Sequence, residues 1–155
     1  MGLGNIYQVS GAFEKARELY QKLLISHFIP QAKLSPAQKN QQAGILNNLG
    51  RLYQQTGEFE QAVQVFTQAL ECNPNMPEIY LNLGRLQIDL RNWSAAQEIL
   101  FRALSTLKTN ALTADICWLY ARVLGFTFQI ERALDYQRQA LKLSPHRHFW
   151  HLQNI

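Results

Sequence analysis

The chain has 155 residues, which fits one domain of ordinary size and is enough to bury a continuous core. A hydrophobic fraction of 47% argues against intrinsic disorder, and a formal charge of +4 is weaker than the footprint of a dedicated nucleic-acid binder. The 2 cysteines are too few for a disulfide framework or a zinc site by themselves. No secretory signal and no apolar run long enough to span a membrane occurs, which predicts a cytoplasmic protein.

The first part of the chain contains a shortened copy of a later segment. The matching pairs, 46 positions apart, are Gly4–Gly50, Tyr7–Tyr53, Gly11–Gly57, Phe13–Phe59 and Ala16–Ala62. We interpret residues 1–28 as a partial first repeat and residues 29–42 as an insertion that ends by extending the next helix. Ser35 followed by Pro36 predicts the start of that helix, since serine is a preferred N-cap and proline suits the first helical position.

Two full copies follow, residues 43–76 and residues 77–110. The matching pairs, 34 positions apart, are Asn48–Asn82, Gly50–Gly84, Arg51–Arg85, Ala62–Ala96 and Ala69–Ala103. Apolar residues at helical spacing predict two amphipathic helices per copy, Gln38–Gln55 and Phe59–Glu71 in the first of them. Gly57 between them has the place of a helix C-cap. No strand pattern occurs, so the predicted fold class is all-α.

The end of the chain holds a fourth, weaker copy at residues 111–145. Its matches with the third copy, 37 positions apart, are Arg85–Arg122, Ala96–Ala133 and Ala103–Ala140. Residues 146–155 predict a C-terminal partial helix, and their three histidines, His146, His148 and His151, are interpreted as an incidental polar cluster rather than a metal site. The incomplete end repeats are typical of a fragment of a longer protein, or of ends that pair with another copy.

The second copy resembles the tetratricopeptide repeat family, whose pattern is W-x2-L-G-x2-Y, then A-x3-F, a further alanine and a proline. The residues that carry the resemblance are Leu46, Leu49, Gly50, Tyr53, Ala62, Phe66, Ala69 and Pro74. The resemblance implies a right-handed superhelical stack of antiparallel helix pairs, a TPR-type α-solenoid whose first helices line a concave groove. Small residues such as Gly50 and Gly84 are expected to let paired helices approach closely.

The groove should be lined by the stripe of each first helix that lies opposite the core. The three stripes hold Asn47, Asn48, Arg51 and Gln55; Glu78, Leu81, Asn82, Arg85 and Asp89; and Asp115, Trp118, Leu119, Arg122 and Phe126. The predicted peptide-binding residues are Asn48, Arg51, Gln55, Asn82, Arg85, Asp89, Trp118 and Arg122. Guanidinium groups suit carboxylates, and amides donate to and accept from a peptide backbone. The competing interpretation is a solvated helix face.

Aromatic residues and asparagines refine this prediction. Trp118 and Phe126 are either an anchor for a partner side chain or internal contacts, whereas Trp93 is interpreted as structural. Similar asparagines line the repeat domain of O-GlcNAc transferases and hold peptides in repeat domains that clamp chaperone C-termini. Such a clamp needs further basic residues on its last repeat, where this chain has Asp115 and Leu119.

The sequence contains no nucleophile elbow, phosphate loop, metalloprotease or dinucleotide motif, which predicts no enzyme, no cofactor and no metal. The leading hypothesis is a protein–protein interaction module that binds an extended, acidic segment of a protein or peptide. One alternative is the repeat domain of a larger enzyme, glycosyl- or sulfotransferase-like, that acts as a substrate or partner ruler. Another is a scaffold that forms homo-oligomers through its end repeats. Membrane and nucleic-acid partners are not expected.

Overall fold

Regular structure in this computed structural model is entirely α-helical over the residues described, which are 3–26, 34–109 and 112–145. The chain divides into two compact units, Met1–Pro74 and Asn75–Ile155. The first unit contains α1 (Leu3–Val9), α2 (Phe13–Ser26), α3 (Pro36–Thr56) and α4 (Phe59–Cys72). The second contains α5 (Pro77–Asp89), α6 (Trp93–Thr106), α7 (Thr113–Phe126) and α8 (Ile130–Leu143). The all-α prediction is confirmed, and the predicted C-terminal helix at residues 146–155 lies outside the described residues.

The turn inside each helix pair has the same backbone geometry. One residue is left-handed in every turn, with φ of 75° at Gly11, 82° at Gly57, 58° at Arg91 and 59° at Phe128. The next amide donates to the carbonyl five positions earlier, at 2.8 to 2.9 Å, as in a Schellman motif. These four residues are separated by 46, 34 and 37 positions, the offsets that relate the sequence copies. The repeat seen in the sequence is therefore also present in the backbone geometry of the turns.

Helix α3 is longer than the other described helices because the insertion extends its N-terminal end. Ser35 is the N-cap, and Pro36 occupies the first helical position. The Ser35 hydroxyl accepts a hydrogen bond from the Gln38 amide at 3.3 Å, and the Gln38 side chain accepts one from the Ser35 amide at 2.9 Å. This capping box satisfies two backbone donors that the helix itself leaves unpaired. The predicted start of this helix is confirmed.

Glycines in the first helices allow large side chains of the paired helix to pack against the backbone. A Cβ atom at Gly50 would lie 2.7 Å from Phe66, one at Gly84 would lie 2.7 Å from Leu100, and one at Gly4 would lie 2.5 Å from Tyr20. In each pair the large residue follows the glycine by 16 positions. The expected close approach of paired helices is thereby confirmed in three of the four repeats.

The first unit has a core where α2 and α3 meet, formed by buried side chains that include Tyr20 and Leu52. Polar contacts fix the edge of this core. The Arg17 guanidinium pairs with the Glu58 carboxylate and lies 5.4 Å from the centre of the Tyr53 ring. Thr56 donates to the same carboxylate at 2.7 Å, so α2 is joined to the turn between α3 and α4.

In the second unit α5 packs against both α6 and α7, and α7 packs in turn against α8. Most residues of α5 are buried, including Tyr80 and Leu83. On α7, the buried Tyr120 ring meets Tyr136 edge-on, with centroids 4.7 Å apart. None of the helices in the described ranges has both the length and the apolar character needed to cross a bilayer.

Candidate functional site

On α3 the predicted site residues lie on one helix face but differ in exposure. Arg51 and Gln55 are exposed, and Asn48 is half-buried. The Gln55 carbonyl oxygen accepts a hydrogen bond at 2.9 Å from the side chain of Gln8, a buried residue of α1. The positive charge of Arg51 acts on Tyr20, where it partly offsets the rise in pKa that burial causes. Gln55 is therefore held by a hydrogen bond from the first helix pair.

On α5 the exposed stripe is narrow. Asn82 is half-buried, whereas Arg85 and Asp89, which follow it by three and seven positions, are exposed. This spacing places all three on one face of the helix. The stripe also includes the exposed Glu78 at the start of α5.

On α7 the predicted aromatic residue and arginine contact each other. The Arg122 guanidinium lies 4.8 Å from the centre of the Trp118 ring, within the distance of a cation–π interaction. Arg122 is exposed and Trp118 is half-buried. Since α5 and α7 pack together, the stripes of Arg85 and Arg122 belong to neighbouring first helices of the same unit.

Two sequence-based assignments need correction. Leu81 and Leu119 were expected on the groove stripe, but they are 4% and 2% exposed. Both helices have packing neighbours on more than one side, which leaves only a narrow exposed stripe. Of the two interpretations of Phe126, the structure supports an internal contact, because its ring stacks on Trp93 with centroids 4.5 Å apart, although the residue is 54% exposed. The structural interpretation of Trp93 agrees with this contact.

The arginines of the three stripes have no internal counter-ion in the described part of the chain. Ion pairs there involve Arg17 and Arg138, but not Arg51, Arg85 or Arg122. An exposed guanidinium without a carboxylate partner keeps its forked donors available for a ligand. Arg85 and Arg122 therefore each present an exposed guanidinium, on two helices that pack together.

A further group of residues was not anticipated from the sequence. The second unit has an open pocket of about 450 Å³ between α6, α7 and α8. Its lining residues are Ser94, Gln97, Glu98, Phe101, Tyr120 and Arg132. Tyr120 occupies a position that is leucine in the two preceding copies, Leu49 and Leu83. The replacement of leucine by a residue with a hydroxyl group is the feature of the sequence that could have indicated this pocket.

Other reactive groups give no additional site in the described ranges. Burial raises the pKa of the Cys117 thiol, and Cys72 is also buried, so neither is positioned as an exposed nucleophile. Over the same residues, no group of three or more His, Cys, Asp or Glu side chains is placed to hold a metal ion. The predicted incidental cluster of His146, His148 and His151 lies outside them.

Comparisons with known proteins agree with the repeat geometry. Two family models, each described as "Tetratricopeptide repeat", match residues 53–116 and 114–147, which together make up more than half of the chain. No curated protein sequence is a significant match.

Solved structures with a similar fold include a crystal structure of MamA, with a TM-score of 0.72 and 21% identity over 94% of this chain and 76% of that one. YrrB, a TPR protein with "an unusual peptide-binding site", gives a TM-score of 0.69 and 18% identity over 98% and 71%. The first TPR of Spaghetti (RPAP3), bound to the HSP90 peptide SRMEEVD, gives 0.63 and 18% over 70% and 84%. With these helix pairs, repeated turns and family matches, the chain belongs to the tetratricopeptide repeat family.

Proposed function

We propose that this protein is a non-catalytic interaction module that binds an extended, acidic peptide segment on the exposed stripes of α5 and α7, the first helices of the second unit. The observation that carries the proposal is the pair Arg85 and Arg122, exposed on neighbouring helices and without an internal carboxylate partner. Arg51 repeats the same position on α3 of the first unit. The structures of RPAP3 with an HSP90 peptide and of YrrB with its peptide-binding site support peptide recognition by this fold.

The stripes offer two kinds of contact to such a ligand. The arginines bind acidic side chains, and charge-assisted hydrogen bonds of this type are about twice as strong as neutral ones. The Asn82 amide binds the peptide backbone, since an amide carries two donors and accepts two hydrogen bonds. Asn48 has the equivalent position on α3 of the first unit.

Calorimetric titration with an acetylated acidic peptide tests this function. We expect Arg85→Gln and Arg122→Gln each to weaken binding about tenfold, which corresponds to about 1.4 kcal/mol. Higher salt should weaken binding by the wild type, because exposed charges are screened. Arg102→Gln is the matched control, since Arg102 is an exposed arginine of α6 outside the stripes. Equal affinities for all four proteins would contradict the proposal.

The repeat domain of a larger enzyme and the self-associating scaffold stay predictions from the sequence. The first is decided by the gene that encodes the segment, and the second by sedimentation at high protein concentration.

A further inference from the structure

The pocket between α6, α7 and α8 is lined by a pair of polar side chains in contact, Tyr120 and Arg132. Tyr120 is only 1% exposed. Its hydroxyl oxygen accepts a hydrogen bond at 3.1 Å from the Arg132 guanidinium. In the described part of the chain no acceptor takes the hydroxyl proton of Tyr120. A buried donor without an acceptor is costly, and an acceptor on a ligand removes that cost.

The tyrosine keeps its proton at neutral pH. Burial raises the pKa of Tyr120, and the nearby Arg132 only partly offsets this rise. The group is therefore a hydroxyl donor rather than a phenolate. A hydroxyl donor at this position suits a ligand that carries a hydrogen-bond acceptor.

The Arg132 side chain is held in place by its neighbours. One of its nitrogens donates to the Gln129 side-chain carbonyl, and another donates to Tyr120. Gln129 in turn donates to Thr127 at 3.1 Å and to Gln97 at 3.3 Å. A guanidinium has five N–H donors, so others remain for a ligand. The Tyr120 hydroxyl and the Arg132 guanidinium together suit a carboxylate.

The other wall of the pocket carries the opposite charge. Glu98 and Arg132 line the same pocket, yet over the described residues neither forms an ion pair with any group. A ligand with a carboxylate alone would be repelled by Glu98, whereas a ligand that also carries a cation would be attracted to it. Phe101 lines the same pocket with its ring centre 6.2 Å from that of Tyr120 and is 51% exposed, so it offers an apolar surface for a hydrocarbon stem.

We propose that this pocket is a second binding site, separate from the first-helix stripes, for a dipolar ligand of which the C-terminal lysine or arginine of a peptide is the model. The ligand carboxylate binds Tyr120 and Arg132, the basic side chain binds Glu98, and its hydrocarbon stem packs on Phe101. The volume of about 450 Å³ lies within the range of small-ligand pockets, about 300 to 1,000 Å³. A free basic amino acid has the same chemistry, so the experiment includes it.

The test is an NMR titration of the full chain with acetyl-Ala-Ala-Lys, with its C-terminal amide and with free lysine. We expect the free-carboxylate peptide to shift the amides of α6 and α8 saturably, and the C-terminal amide to bind at least about tenfold more weakly. Tyr120→Phe and Glu98→Gln should each weaken binding of the acid about tenfold. Tyr136→Phe is the matched control, because it removes a neighbouring hydroxyl that does not line the pocket.

The variants also separate the two proposed sites. Arg85→Gln should leave this binding unchanged, and Tyr120→Phe should leave binding of an acidic peptide by the stripes unchanged. Binding of free lysine as tight as that of the peptide would support the site and assign it to a free amino acid. Equal binding of acid and amide, wild-type affinity in folded Tyr120→Phe, or no saturable shift at about 10 mM ligand would overturn the proposal.

Discussion

Single side chains set the distance between paired helices. Gly50 has no Cβ, and the Phe66 ring occupies the space where one would be. Gly44 is on the same helix, but a Cβ there would meet nothing within 4 Å. Substitution of each glycine in turn therefore distinguishes the packing effect at Gly50 from the general effect of glycine on helix stability.

We expect Gly50→Ala to lower the free energy of unfolding by about 1 to 3 kcal/mol, because the added methyl group forces Phe66 or the helix to move. Gly44→Ala should raise it by about 0.5 to 1 kcal/mol, since alanine is the better helix former. Urea denaturation measures both values. A Gly50→Ala protein as stable as Gly44→Ala would mean that the close approach is not required.

Two buried tyrosines predict how stability depends on pH. Tyr20 and Tyr120 have pKa values raised above 10.0 by burial, with nearby arginines partly opposing the rise. Above pH 10 the unfolded chain releases these protons before the folded protein does, so the free energy of unfolding should fall as pH rises. Replacement of both tyrosines by phenylalanine should reduce this slope in urea denaturation at pH values from about 8 to 11. If the free energy of unfolding falls equally with pH in both proteins, neither tyrosine contributes to the pH dependence.

The bounds of the helices were the feature of the fold that the sequence predicted most fully. Periodicity, Gly57 and Ser35–Pro36 predicted the helices α3 and α4 to within two residues, because each end carries a local chemical signal. The equivalent turns at Arg91 and Phe128 carry no such signal, since their side chains are atypical of left-handed backbone. At these two turns the left-handed residue is accompanied by the same backbone hydrogen bond as at Gly57, not by a favourable local propensity.

This difference between turns is testable. Arg91→Gly should raise the free energy of unfolding by up to about 1 kcal/mol, because glycine adopts the left-handed conformation without steric cost. Gly57→Ala, at the equivalent turn, should lower it by about 1 kcal/mol. Thermal and urea unfolding of the two variants check these signs. Destabilisation by Arg91→Gly would show that the arginine side chain contributes more than the backbone strain costs.

Across the chain, the repeat predicted which residues share a helix face but not how much of each face is exposed. The offset of 34 residues places Arg51 and Arg85 at equivalent positions, and both are exposed. Burial of Leu81 and Leu119 depends on which helices pack alongside, and periodicity along one helix does not contain that information. The pocket at Tyr120 was missed for the same reason, because α6, α7 and α8 form it together.

In the proposed function, the exposed stripes of α5 and α7 bind an acidic peptide. The most direct test is amide chemical-shift mapping of the labelled protein during titration with an acetylated acidic peptide at low salt. We predict saturable shifts concentrated on α5 and α7 around Arg85 and Arg122, which diminish at Arg85 and its neighbours in Arg85→Gln. Shifts confined to α4, α6 and α8, or shifts that do not saturate, would contradict the claim.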